Sequence, residues 1–326
     1  MNSNSNHSVI PARELGRSGL RVSSIGFGAA TLGGAYGAVD KATARDAIAA
    51  GLAAGMNFFD TSPFYGKTLS ENTLGECLSG VARDRYVMAT KVGRYDIRDF
   101  DFTAERIRRS VDESLQRLRC GHIDLLQLHD IEFWSLARII DEAVPELQRL
   151  KQAGKVRAVG ITGYPLAIFR RVLAVTEVDA ILSYCHYTLA DSTLADEVPW
   201  LTERGIGVIN GSPLSMGLLS SSGPPAWHPA SPALRAACAA ASALCLRAGV
   251  ELGELAFQYA LLAPGIASTL VGIRSLADVE RNMAVWQKPL DLALLAEVQA
   301  VLAPHHNQPW QSGLPENNGP CTERPQ

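Results

Sequence analysis

A chain of 326 residues that is 47% hydrophobic and 19% charged can bury roughly three-quarters of the surface its unfolded form exposes, so it can fold without disulfide or metal staples. Its formal net charge of −3 and lack of a dense Lys/Arg run remove the electrostatic basis for binding nucleic acid or an anionic membrane. The six cysteines, Cys77, Cys120, Cys185, Cys238, Cys245 and Cys321, show no CxxC or metal-ligand spacing, which suits reduced thiols in a cytoplasmic protein.

The opening MNSNSNHSVIPARELG is polar and lacks an apolar leader core, and nowhere does the chain approach the roughly 20 consecutive apolar residues of a membrane span. A soluble, cytoplasmic protein is expected. RELGRSGLRVSSIGFG then reads as a short hairpin leading into a first strand near Val22 to Gly28. Strand-length apolar runs recur at MNFFDTS, YVMATKVG, IDLLQLHD, VRAVGITG, VDAILSYCHY, IGVINGSP and TLVGIRS, which makes eight candidate strands.

Between them lie segments with helical spacing. TARDAIAAGLAAG offers Thr43 as an N-cap and Gly55 as a stop, and TAERIRRSVDESLQRLRCG begins with Thr103, with Glu105 favouring the helix N-terminus. SMGLLSSSGPPAWHPASP is a long Pro/Gly/Ser-rich loop after the seventh strand, and such loops are usually functional. From Pro304 the chain is rich in Pro, Asn, Gln and Gly, the composition of a surface tail.

Nearly continuous apolar strands alternating with helices suit a parallel sheet buried on both faces, and eight such units favour closure into an α/β (β/α)8 TIM barrel. An open doubly wound sheet would carry GxGxxG after its first strand, but GFGAATLGG has Thr31 where the third glycine should fall. One domain is expected over residues 1–326, with the barrel over about 13–285 and a C-terminal helix and tail over 286–326.

Barrel active sites gather at the C-terminal strand ends. There the sequence places Asp60, Lys91 and His129, with Tyr65 in the following loop TSPFYG. A tyrosine is a poor base at neutral pH, but an adjacent ammonium stabilises its phenolate, and a carboxylate keeps that buried ammonium charged. His129 could hydrogen-bond a reacting oxygen. Each residue also has a plain structural reading, as a buried ion pair, a loop anchor or a core histidine.

The pieces FFDTSPFYG, ATKVGRY, DLLQLHD, GKVRAVGIT, SPLSMGLL and VGIRSLADVERN resemble, in order, the motifs of the aldo-keto reductase family. The resemblance implies a TIM barrel of that type, a nicotinamide cofactor and a catalytic tetrad at Asp60, Tyr65, Lys91 and His129, with Tyr65 transferring the proton. It assigns cofactor contacts to Gly28, Ala29, Asp60, Thr162, Tyr184, Ser212, Leu214, Gly217, Leu218, Gly272, Arg274, Asp278 and Asn282. FDTSPFYGKTLSE, KVGRYD, LHDIEFWSL, ILSYCHYTLAD and GPPAWHPASP are similar to a branch that oxidises L-galactose at C1 to its lactone with NAD, in the plant route to ascorbate. No metal is implied.

Asp278 favours NAD, because a carboxylate repels a 2′-phosphate, whereas Arg274 would suit one. Thr162 and Gly163 stand where the family usually has Ser-Asn, Tyr184 where Gln is usual, and Gly211 where an aromatic commonly stacks on the nicotinamide. Tyr184 either supplies that aromatic surface or is a core tyrosine. Tyr65, His129, Asp130, Trp134 and His186 are the expected substrate contacts, Trp227 is a further pocket candidate, and Cys185 reads as an inert thiol. An NADP-dependent aldehyde or ketone reductase and a non-catalytic regulatory subunit on the same fold are the alternatives, and a monomer or weak homodimer is expected.

Overall fold

The computed structural model describes residues 9–34 and 37–319. Residues 1–8 of the polar opening, Cys321 and the end of the tail lie outside them.

A two-stranded antiparallel hairpin, β1 (Ala12–Glu14) and β2 (Arg21–Ser23), precedes the sheet. Eight parallel strands then close on themselves in the order β10-β3-β4-β5-β6-β7-β8-β9: β3 (Ile25–Gly28), β4 (Phe58–Asp60), β5 (Val87–Val92), β6 (Ile123–Leu128), β7 (Val156–Gly163), β8 (Ala180–Tyr184), β9 (Gly207–Gly211) and β10 (Ser268–Gly272). Closure leaves no unpaired edge, as an open sheet would. The expected first strand divides in two: Val22 belongs to the hairpin and the barrel strand begins at Ile25.

The apolar runs are continuous because both strand faces are covered. All six residues of β5 and of β6 are buried. Inward-facing Phe58, Val87, Ala89, Leu125, Ala158, Ala180, Leu182, Ile209 and Leu270 fill the barrel, and the hairpin adds Leu15, Leu20 and Val22 to the same cluster, plugging the N-terminal end. The alternate residues face the helices: α1 (Lys41–Ala53), α2 (Leu69–Cys77), α3 (Ala104–Leu118), α4 (Leu136–Arg138), which continues through a π turn into α5 (Val144–Gln152), α6 (Leu166–Leu173), α7 (Leu194–Glu203), α8 (Pro232–Arg247), α9 (Leu252–Leu261), α10 (Leu276–Gln287) and α11 (Leu292–Leu302).

Thr103 caps α3 as expected, its side chain accepting from the Arg106 N–H. The cap of α1 is Asp40 instead of Thr43: its carboxylate accepts from the N–H groups of Ala42 and Thr43 and, being charged, outcompetes a hydroxyl at a helix N-terminus. Gly55, at φ +93°, follows the helix as its stop.

The segment after Pro304 is more than a surface tail. Trp310 stacks on Tyr164 at 4.5 Å, Leu314 N–H donates to the Glu132 carbonyl, and Asn317, 1% exposed, donates through Nδ2 to the carbonyls of Glu132 and Trp134. The tail is strapped across the loops that follow β6 and β7. Composition signalled a segment unable to form its own core; it did not reveal that the barrel supplies partners.

Candidate active site

Asp60 is the last residue of β4 and Lys91 the next-to-last of β5, while His129 lies one residue beyond β6. Adjacent parallel strands in register bring their ends to one rim. Tyr65 is held by the turn after β4, where the Tyr65 N–H donates to the Ser62 carbonyl at 3.1 Å. Gly66 closes that turn at φ +63°, and a Cβ there would stand 2.2 Å from the Gly33 carbonyl oxygen, so only glycine fits.

The four residues meet at the C-terminal mouth. Lys91 Nζ donates to Asp60 Oδ1 at 2.5 Å, to the Thr61 carbonyl at 2.9 Å and to Tyr65 Oη at 3.2 Å. Gln127 Nε2 donates to Asp60 Oδ2 at 2.9 Å, so both carboxylate oxygens are occupied. The His129 ring stands edge-on to Tyr65, with centroids 5.5 Å apart. Its Nδ1 is 2.9 Å from Ser62 Oγ.

Burial works against the charge of Lys91, but the Asp60 carboxylate and Tyr65 outweigh it and hold the ammonium above its usual pKa. Burial pushes the Tyr65 phenol up, and the pull of Lys91, opposed by Asp60 and Asp130, does not reverse this. The resting side chain is therefore a neutral phenol, not the phenolate expected from the lysine alone. His129 is pushed down to about 3, by burial above all and also by Lys91 and Arg94, against Asp130. It is a neutral imidazole at physiological pH.

Asp130 is 5% exposed and already engaged. Arg94 Nη1 pairs with its Oδ2, and Thr162 takes the Asp130 N–H at 2.9 Å and donates to Oδ1 at 3.2 Å. Burial raises its pKa, but His129 and Arg94 hold it below the usual range. Arg94 lies over the rings of Phe64, Phe100 and Phe133, at 4.0, 5.3 and 5.2 Å. The sequence reading missed Arg94 and these aromatics; an arginine just past a strand end was the available signal.

Thr162 thus serves Asp130. At Gly163 a Cβ would meet Ile168 at 2.3 Å and Glu132 Oε2 at 2.8 Å, which accounts for the missing asparagine. Glu132, also missed, is fully buried and receives the Tyr164 N–H, the Tyr184 hydroxyl and the Ser312 hydroxyl on Oε1. Burial and Asp130 push it up to about 8.

Among the other expected substrate contacts, Trp134 packs on Phe102 and under Arg138 and makes no ring contact with the tetrad. His186 packs against Tyr164, with ring centroids 4.4 Å apart and planes tilted by 37°, and is fixed through Nδ1 by Asp191 and Thr193; this places it with Tyr184, Tyr164 and Trp310 beside the strapped tail. Trp227 is 62% exposed. Cys185 is a buried thiol whose pKa is pushed up by that burial, which suits an inert role.

A dinucleotide needs a rim without side chains. By strand alternation, Gly28, Gly211 and Gly272 face inward on the consecutive strands β3, β9 and β10. A Cβ at Gly211 would stand 3.2 Å from Tyr184 Cβ, and one at Gly272 2.8 Å from Thr31 Cγ2. Tyr184 borders this rim, with its hydroxyl 3.3 Å from Glu132. Ala29 follows Gly28, its carbonyl tied to Ser70. After β9, Ser212, Ser215, Met216 and Gly217 have φ between +45° and +93°, and Leu214 at −95° precedes Ser215. The segment is a run of tight turns in which the N–H groups of Ser215, Gly217 and Leu218 donate to the carbonyls of Ser212, Leu214 and Ser215, and Leu218 closes it. Arg274, Asp278 and Asn282 line up from the end of β10 into α10. Asp278 Oδ2 accepts the N–H groups of Arg274 and Ser275, completing a capping box. The residues present fit a nicotinamide dinucleotide.

The sequence profile of the Aldo/keto reductase family matches residues 24–303. The chain is 50% identical over 317 residues to L-galactose dehydrogenase of Arabidopsis thaliana, covering 94% of this chain and 99% of that protein. It is 31% identical over 296 residues to D-arabinose 1-dehydrogenase of Saccharomyces cerevisiae, covering 83% and 88%. A solved aldo-keto reductase of Bacillus halodurans in its holo form superposes with a TM-score of 0.74 at 27% identity, over 95% of this chain and 100% of that one. With the closed eight-stranded barrel and the four residues at its mouth, these likenesses establish that the chain belongs to the aldo/keto reductase family.

Proposed function

We propose that this protein is a NAD-dependent sugar dehydrogenase that oxidises L-galactose at C1 to its lactone, in ascorbate biosynthesis, with Tyr65 as the proton-transfer group. The observation that carries the reading is the buried Asp60–Lys91–Tyr65 chain opening on the rim, in a sequence half identical to a plant L-galactose dehydrogenase. The bound nicotinamide would accept hydride from C1 and bring positive charge near the phenol. With its own proton first released to solvent, Tyr65 Oη takes the anomeric hydroxyl proton, Lys91 stabilises the phenolate this requires, and Asp60 keeps Lys91 charged and aimed. His129, neutral, donates a hydrogen bond to the same sugar oxygen. Gly28, Gly211 and Gly272 leave room for the cofactor, and Tyr184 offers a ring against it.

Preference for NAD is supported by Asp278, whose carboxylate is pinned at the start of α10 by two backbone N–H groups and would repel a 2′-phosphate. A second reading, NADP-dependent carbonyl reduction, is favoured by the neutral resting phenol, which is ready to give a proton, and by Arg274 near the same helix end. Turnover of L-galactose with NAD and with NADP, measured on wild-type and Tyr65→Phe proteins, separates the readings. The proposal expects NAD to be preferred and Tyr65→Phe to be nearly inactive. Preference for NADP with an aldehyde substrate supports the second reading, and absence of turnover with either cofactor would indicate a non-catalytic member.

A further inference from the structure

We propose that Ser62 is a positioning residue that sets the tautomer of His129, so that Nε2 carries the ring proton and presents it at the barrel mouth. The role of that proton in catalysis rests on the dehydrogenase reading above; the tautomer does not.

Ser62 lies in the turn between Asp60 and Tyr65 and is fully buried. Among the described residues its Oγ has two partners. One is the Phe64 N–H, which donates to it at 3.1 Å; the other is His129 Nδ1, at 2.9 Å. The hydroxyl has one proton to give, and Nδ1 is the one partner that can accept it. If Nδ1 carried the ring proton, Ser62 Oγ would receive two donors and its own O–H would be buried without an acceptor. The penalty for that orphan corresponds to a population bias on the order of ten- to a hundred-fold toward the Nε2–H form.

The rest of the surroundings fix the ring without making this choice so directly. The backbone N–H of His129 donates to the Val92 carbonyl at 2.9 Å. Phe64 and Tyr65 hold the imidazole edge-on, at 5.7 and 5.5 Å, contacts that both tautomers satisfy equally by shape. Asp130 Oδ2 lies 3.7 Å from Nε2, beyond hydrogen-bond length, and is itself taken by Arg94. Lys91 and Arg94 oppose a second proton on the ring and burial does so more strongly, while Asp130 favours one. The balance leaves a neutral imidazole for which the tautomer is the remaining variable. The same serine carbonyl accepts the Tyr65 N–H, so one residue positions both the phenol and the ring proton beside it.

The test is 15N–1H long-range correlation of the imidazoles in uniformly 15N-labelled full-length protein, with His129 assigned by a His129→Gln variant, for wild type, Ser62→Ala and Ser62→Thr. The wild type should show a hydrogen-bonded, unprotonated Nδ1 and a protonated Nε2, unchanged between pH 5 and 8. Ser62→Ala should shift the Nδ1 resonance and introduce a measurable Nδ1–H population, while lowering kcat about ten-fold with little change in KM. Ser62→Thr, which retains the hydroxyl, should restore both signals. A wild-type ring in the Nδ1–H form, or Ser62→Ala nitrogen shifts equal to wild type, would overturn the proposal. If the wild type turns over no sugar yet shows the Nε2–H ring, the assignment of Ser62 stands and the functional reading fails.

Discussion

Replacing Lys91 with methionine removes one ammonium and three hydrogen bonds, to Asp60, Thr61 and Tyr65. The side chains of Lys91 and Asp60 are 1% and 4% exposed, so solvent cannot rescue the carboxylate left behind, which among the described residues keeps only the Gln127 amide. Breaking a buried pair from one side costs about 3–5 kcal/mol. With about 2 cal/mol/K of unfolding entropy per residue, a chain of 326 residues should lose about 4–7 °C in Tm. The double variant Asp60→Asn/Lys91→Met removes the stranded charge and should recover about 1–3 kcal/mol, measured by urea unfolding. Sugar oxidation should fall about 10²- to 10⁴-fold in both variants, because Tyr65 has lost the cation that would stabilise its phenolate. Equal destabilisation of single and double variants would mean that the unpaired Asp60 carboxylate costs nothing where it is left, and activity in the double variant would remove Lys91 from the mechanism.

Glu132 is raised from an ordinary 4.5 to about 8, so between these values the folded form holds a proton that the unfolded chain has released. Its contribution to stability therefore falls as pH rises through that window and is flat above it. Glu132→Gln should lack this slope, so the urea midpoints of variant and wild type should diverge from pH 5 to 8; parallel curves would contradict the assignment. Asn317→Ala deletes two hydrogen bonds that strap the tail, worth about 1 kcal/mol each, and should speed proteolytic clipping of the tail several-fold with the barrel left intact. Tyr184→Ala should weaken NAD binding, followed by quenching of tryptophan fluorescence, if its ring faces the nicotinamide; unaltered affinity and turnover would leave it a structural residue.

The apolar runs announced eight strands, and their lack of polar alternation announced a sheet covered on both faces. These are local patterns, readable because side-chain period and strand length are properties of short segments. Asp60, Tyr65, Lys91 and His129 were also accessible, since a barrel turns separate strand ends into neighbours by rule. Glu132 and the tail residues from Trp310 to Asn317 carry no such mark, and for Ser62 and Arg94 the position just past a strand end did not disclose the partner. Glu132 sits in the apolar stretch IEFW and meets Ser312 across 180 positions, and Arg94 finds Asp130 across 36. Nor could the lysine beside Tyr65 disclose whether the phenol is ionised, because desolvation by residues from several strands competes with that one charge. Packing places polar partners by distance in space and sets their protonation by how much water it removes, and neither quantity is written in the spacing along the chain.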